Sequence, residues 1–135
     1  MDMDRALRIS AAGMAAQSTR LRVVAENLAN RDSTGDTPGA DPYRRRTVSF
    51  GNHLDRATGA QTVSVSRIGQ APGDFPKRFD PSSPAADAQG YVKTPNVDSL
   101  IEVMDMREAQ RSYSANLSVL ETTRGMLTRT IESLR

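Results

Sequence analysis

The chain has 135 residues, no cysteine, no tryptophan, 4% aromatic residues and a formal net charge of +2. Without cysteine there are no disulfides, no Cys-ligated zinc and no thiol catalysis, and so small a charge excess falls well short of the clustered basicity of nucleic-acid binders. Hydrophobic residues make up 37% and mean hydropathy is −0.53, which predicts a thin core without predicting a disordered chain.

The N-terminus, Met-Asp-Met-Asp-Arg-Ala-Leu-Arg, lacks a basic stretch followed by an apolar one, so no cleaved secretory signal is expected. No run approaches the length of a membrane span. All seven prolines and most glycines fall in residues 31–95. The expected division is therefore a helix over 1–30, an irregular middle over 31–95 and a second helix over 96–135.

In the first helix Leu7, Met14, Leu21 and Leu28 recur at heptad spacing, a coiled-coil-type seam. A second stripe, Ile9, Ala16 and Val23, lies on nearly the opposite face, so one partner cannot cover both. Asp2 or Asp4 is positioned to cap the helix and to favour the positive end of its dipole. Gly13 costs about 1 kcal/mol relative to alanine; it is either a tolerated weak point or a place where a neighbouring helix comes close.

The middle carries strand signals at Arg45–Phe50, at Thr62–Ser66 and at Gly90–Lys93, separated by a Pro-rich stretch over 72–90. A short hairpin or small sheet with long loops follows. The triplet Arg44-Arg45-Arg46 at a strand edge is expected to discourage edge pairing or to meet acidic neighbours. His53, the sole histidine, has no partner motif around it. No nucleophile elbow, phosphate loop or paired-carboxylate motif is visible. Neither an enzyme nor a cofactor is expected.

The last helix is expected to start near Thr94-Pro95-Asn96, with Thr94 or Asn96 as cap. Val97, Leu100, Ile101, Val103, Met104 and Met106 cover most of its circumference, which predicts a buried end. Beyond them Tyr113, Leu117, Leu120, Leu127, Ile131 and Leu134 form a seam interrupted by Arg124. The fold class is mainly α: two long terminal helices paired as an antiparallel, coiled-coil-like core domain, with a small irregular β-containing middle. One narrow seam is thin support for two long helices once backbone entropy is counted. The opposite stripe would stay wet in a monomer, so packing against other subunits is expected, with the helices ordering on assembly.

The run Ala25-Glu26-Asn27-Leu28-Ala29-Asn30, followed by Arg31-Asp32-Ser33, resembles the signature of the flagellar basal-body rod protein family. The segments Pro42–Phe50, Gly90–Val97 and Arg111–Thr123 resemble its short proximal members, which lack a large inserted domain. The resemblance implies terminal helices lining a central channel and an outer, partly β middle. It implies a structural subunit of the periplasm-spanning rod, exported without a cleaved signal by the flagellar type III apparatus. Implied partners are rod proteins of the FlgB, FlgF and FlgG type, a FliE-type adaptor and further copies of the chain, with no nucleic acid and no membrane insertion. Ala25, Asn27, Leu28, Ala29 and Asn30 would then be an assembly motif. From the residues alone, Asn30 could simply cap the helix and Asn27 be solvated. The competing reading of the whole chain is a soluble coiled-coil adaptor or export chaperone of discrete stoichiometry.

Overall fold

A computed structural model describes residues 2–135. The element order is α1 (Asp2–Ala29), β1 (Arg46–Asp55), β2 (Ala60–Gln70), β3 (Lys77–Phe79), β4 (Tyr91–Lys93) and α2 (Ser99–Ser133). The fold is thus mainly α, with two helices at the termini and two two-stranded sheets, β1-β2 and β3-β4, between them. No helix is long and apolar enough to cross a membrane among the described residues.

Two compact units are formed. One comprises the chain up to Leu21, Val48–Arg67 and Met106–Arg135. In it the helices run antiparallel: Gly13 lies against Asn116, and Arg20 pairs with Glu108 at 3.5 Å. Advancing along α1 therefore means retreating along α2. A Cβ on Gly13 would sit 2.8 Å from Asn116 Nδ2, so the glycine marks a close approach of the helices. The seam residues Leu7, Met14, Leu21, Tyr113, Leu117, Leu120 and Leu127 are partly buried. Full burial belongs to small and polar side chains instead: Ser10, Ala16, Ala109 and Thr123. Close helices leave room on their facing line only for small residues, and the large ones splay to the flanks.

Two expectations are corrected in this unit. Ile131 and Leu134 do not join a buried seam; they are 54% and 82% exposed. Counting outward from Gly13 and Asn116 brings Asp2, the first residue of α1, level with Leu127. The last turns of α2 therefore have no α1 beside them. The second stripe of α1 stays wet only in part: Ile9 is 44% exposed, but Ala16 is buried and lines a cleft with His53 and Thr62 to Val65 of the β1-β2 hairpin. The middle of the same chain supplies the second partner.

The hairpin is closed by Asp55. Its carboxylate accepts the Ala57 N–H at 3.0 Å, and its carbonyl accepts the Gly59 N–H at 2.7 Å. Gly59 takes a positive φ of 70°, which only glycine adopts without strain. The backbone N–H of Ala57 is the main reason the Asp55 carboxyl titrates below its usual range. Arg5 Nε donates to the Thr58 carbonyl at 2.7 Å, and Arg8 reaches Asp55 at 3.3 Å. Asp4, inside the helix, pairs with Arg8 and is not the cap; the Asp2 side chain lies outside the described residues.

The other unit comprises Arg22–Thr47 and Ile68–Asp105. Here β3 pairs antiparallel with β4, Arg78 opposite Val92, and Val92 is fully buried. The strand β3 carried no readable signal, being three residues within the Pro-rich stretch. Helix α2 starts later than expected, capped by Asp98, whose Oδ1 accepts the Leu100 N–H at 3.0 Å. The expected caps are engaged elsewhere. Thr94 bonds the Pro76 carbonyl through both its N–H and its hydroxyl, and Asn96 bridges the Arg45 N–H and the Ala71 carbonyl. The start of α2 is not buried either: Leu100 is 69% and Met104 62% exposed, and Ile101 and Val103 are also exposed. Val97 and Met106 are partly buried, and among the described residues of this first stretch Glu102 alone has no exposed surface.

Candidate assembly site at the end of the first helix

The last turn of α1 presents Asn27, 1% exposed, at the centre of the second unit. Its Oδ1 accepts the Arg46 N–H at 2.9 Å and the Tyr43 hydroxyl at 2.7 Å. Its Nδ2 donates to the Arg46 carbonyl at 2.9 Å and to Glu102 Oε2 at 3.3 Å. The amide thus satisfies both backbone groups of Arg46, as a neighbouring strand would. Buried polar groups persist only where such partners exist.

Glu102 is a carboxylate removed from water, and its charge is met by Arg45, whose Nε donates to Oε1 while Nη2 reaches Asp105 at 3.2 Å. Arg46 reaches Glu26 at 2.7 Å. Arg44 stacks over the Phe75 ring, 4.2 Å from its centroid, and donates to the carbonyls of Ala71 and Gly73. Each arginine of the triplet therefore has internal partners.

Tyr43 titrates above the usual tyrosine range of 10.0. Burial is the main cause; Arg46 opposes it, and Glu26 and Glu102 add to it. A group whose folded pKa is raised stabilises the fold fully below its unfolded value and loses that contribution as pH climbs through the folded one. Urea midpoints measured from pH 9 upward should therefore fall more steeply above about pH 10 for the parent chain than for Tyr43→Phe. Parallel curves would refute this.

Asn30 follows the helix and closes it. Its N–H and Nδ2 both reach the Glu26 carbonyl, at 3.1 and 2.8 Å, while its Oδ1 accepts the Ser33 hydroxyl. Leu28 is partly buried, whereas Ala25 and Ala29 are exposed. The motif thus combines one buried polar centre, one cap and a small exposed face. The residue pattern did not single out Tyr43, Arg45 or Glu102 for this centre, because a carboxylate amid Leu100, Ile101, Val103 and Met104 reads as the solvated side of a helix.

Residues 7–35, which contain the motif, match the family described as flagella basal body rod protein. Residues 88–133 match the C-terminal family of flagellar basal body rod FlgEFG proteins. The chain is also 54% identical over 133 residues to the flagellar basal-body rod protein FlgC of Agrobacterium fabrum, covering 98% of this chain and 96% of the relative. This chain belongs to the FlgC family. The FlgC of Salmonella typhimurium is 43% identical over 91% of each chain, and that of Bacillus subtilis 38% identical over 93% of this chain and 94% of its own. FlgC membership makes the protein a structural subunit of the flagellar basal-body rod. No observation favours a soluble adaptor.

Proposed function

We propose that this FlgC-family chain polymerises with other axial proteins through the outer faces of its helices, transmits torque as part of the proximal rod and contributes to the wall of the export channel. Residues 1–30 and 96–135 form the inner core domain of this reading, and 31–95 the outer domain. The single observation that carries it is the distribution of apolar surface. Leu100, Met104, Ile131 and Leu134 stand exposed on α2, while the largest fully buried side chains are Glu102, Val23, Val92 and Asn27. A subunit that buries its small and polar residues and exposes large apolar ones on its long helices is built to be completed by neighbours.

The partners in this reading are FlgB-, FlgF- and FlgG-type rod proteins, a FliE-type adaptor and further copies, delivered unfolded by the type III export apparatus across the periplasm. The chain acts without catalysis. Asn27 and Asn30 serve the assembly by holding the end of α1 and the following segment in one conformation, with Ala25, Leu28 and Ala29 between them.

Basal bodies purified after detergent and salt washing should contain the chain at a constant ratio to the other axial proteins by mass spectrometry. Its absence there, with abundance in soluble extract, would overturn the proposal. In the same cells Leu28→Asp should abolish incorporation and swimming by placing a charge in the partly buried seam, and His53→Ala should leave both unchanged. Normal swimming of the Leu28→Asp strain would remove Leu28 from the seam.

A further inference from the structure

The two sheets of the middle region differ in how their edges are protected. β3 and β4 are three residues long and carry Lys77, Arg78 and Lys93. Short length and positive charge keep a free strand edge from pairing with another chain. β1 and β2 run for 10 and 11 residues and form a sheet of their own, so each strand has one open edge. Residues 47–54 and 60–66 contain no proline, no acidic residue, no lysine and no arginine. The direction of the open edge of β1 is set at its start. Asn27 takes the N–H and the carbonyl of Arg46 at 2.9 Å each, so these groups point away from β2. Backbone direction alternates along a strand, so Val48, Phe50, Asn52 and Leu54 offer their N–H and carbonyl groups the same way. Among the described residues nothing fills for them the place that Asn27 fills for Arg46. Their side chains share one face, on which Phe50 and Leu54 are 38% and 48% exposed. β2 borders a cleft of about 320 Å³ lined also by Ala12, Ala15, Ala16 and Thr19 of α1, small side chains that leave it open.

We propose, on the reading of the chain as a rod subunit, that this hairpin joins neighbouring copies: the open edge of β1 in one copy pairs with the open edge of β2 in the next. A second copy is the occupant because every copy carries one edge of each kind. β1 and β2 already run antiparallel, so a β1 added to β2 continues the alternation with both copies pointing the same way. The contact then repeats from copy to copy, and head-to-tail contacts of this kind close into a ring or wind into a helix. Pairing of β1 with β1 about a two-fold axis would turn the copies to face opposite ways and leave each β2 bare. Backbone hydrogen bonds supply the attachment, as wherever a strand is added to a sheet edge, and the added strand covers Phe50 and Leu54. Asn27 sets the limit of the pairing: with the backbone of Arg46 already satisfied, the incoming strand begins at Val48.

The chain has no cysteine, so disulfides between copies report the contact. Cells should express two forms together, one with Asn52→Cys and the other with Gln61→Cys, Val63→Cys or Val65→Cys. Their washed basal bodies are oxidised and run without reductant. The expected result is a cross-linked dimer in at least one of the three combinations, absent when either form is expressed alone. A dimer from Asn52→Cys alone would mean two-fold pairing and overturns the proposal. So does the absence of any cross-link when the chain is present at a constant ratio to the other axial proteins. Absence of the unaltered chain from basal bodies would instead overturn the rod reading, and the proposal with it. Asn52→Lys gives a check that needs no disulfide. Asn52 is exposed and a lysine there blocks edge pairing, so the purified variant should keep the parent's helicity and melting midpoint while its strain loses swimming. Normal swimming of that strain sinks the idea.

Discussion

Arg45→Met should destabilise the protein by about 3–5 kcal/mol, the cost of leaving a buried charge without its counter-ion. Glu102 has no exposed surface, and Arg45 is the cation that meets it. Once the guanidinium is gone, the carboxylate keeps a single donor, Asn27 Nδ2 at 3.3 Å. It must either take up a proton or draw water into the unit. Domains of this size have about 5–15 kcal/mol in total, so the loss should bring the urea midpoint close to spontaneous unfolding. Adding Glu102→Leu should recover most of it, because an apolar replacement of a buried pair is often neutral or stabilising. Asp105 stays partly solvated and Asn27 Nδ2 keeps the Arg46 carbonyl, so the double variant strands no polar group. Equilibrium urea unfolding of the three chains checks both steps. An Arg45→Met chain as stable as the parent would falsify the pairing, and a double variant no better than the single would show that the cost lies elsewhere.

Asn27→Ala should cost about 3 kcal/mol or more, since each buried donor or acceptor left unsatisfied costs about 1–3 kcal/mol. The amide serves the Arg46 N–H, the Arg46 carbonyl, the Tyr43 hydroxyl and Glu102 at once. Asn27→Asp should be no better, because a carboxylate cannot donate to the Arg46 carbonyl and would repel Glu102. Tyr43→Phe removes one bond and leaves Asn27 Oδ1 its backbone partner, so about 1 kcal/mol is expected. Asn30→Ala should fall in the same small range, because the remaining Asn30 N–H still caps the Glu26 carbonyl. The ordering Asn27 well above Tyr43 and Asn30, by urea unfolding and by swimming diameter in soft agar, is the expected result. Equal effects at Asn27 and Asn30 would mean that the motif acts only by ending the helix.

Heptad spacing and the placement of every proline between residues 31 and 95 were enough to read two terminal helices and an irregular β-containing middle, because period and backbone chemistry are local properties. The glycine of the first helix was legible as a possible close approach for the same reason, since its cost needs an explanation. The family motif around Asn27 was legible as a pattern of residues. What the amide does was not, because its partners lie 16 to 75 positions away in the chain. The apolar turn of Leu100 to Met104 reads as buried by composition and is exposed, while Glu102 within it is the residue turned inward. Hydrophobicity ranks residues by their average behaviour, and Arg45, arriving from just before β1, reverses that ranking at one position. The helix caps moved for a related reason: Thr94 and Asn96 are good caps by type, but they bond the segments at 71–76 and Arg45, and Asp98 was left to start the helix. Local periodicity therefore determined the elements. Which face turns inward, which register the helices take and which polar groups share the interior were decided only when distant segments came together, because those choices depend on partners that no local stretch of sequence contains.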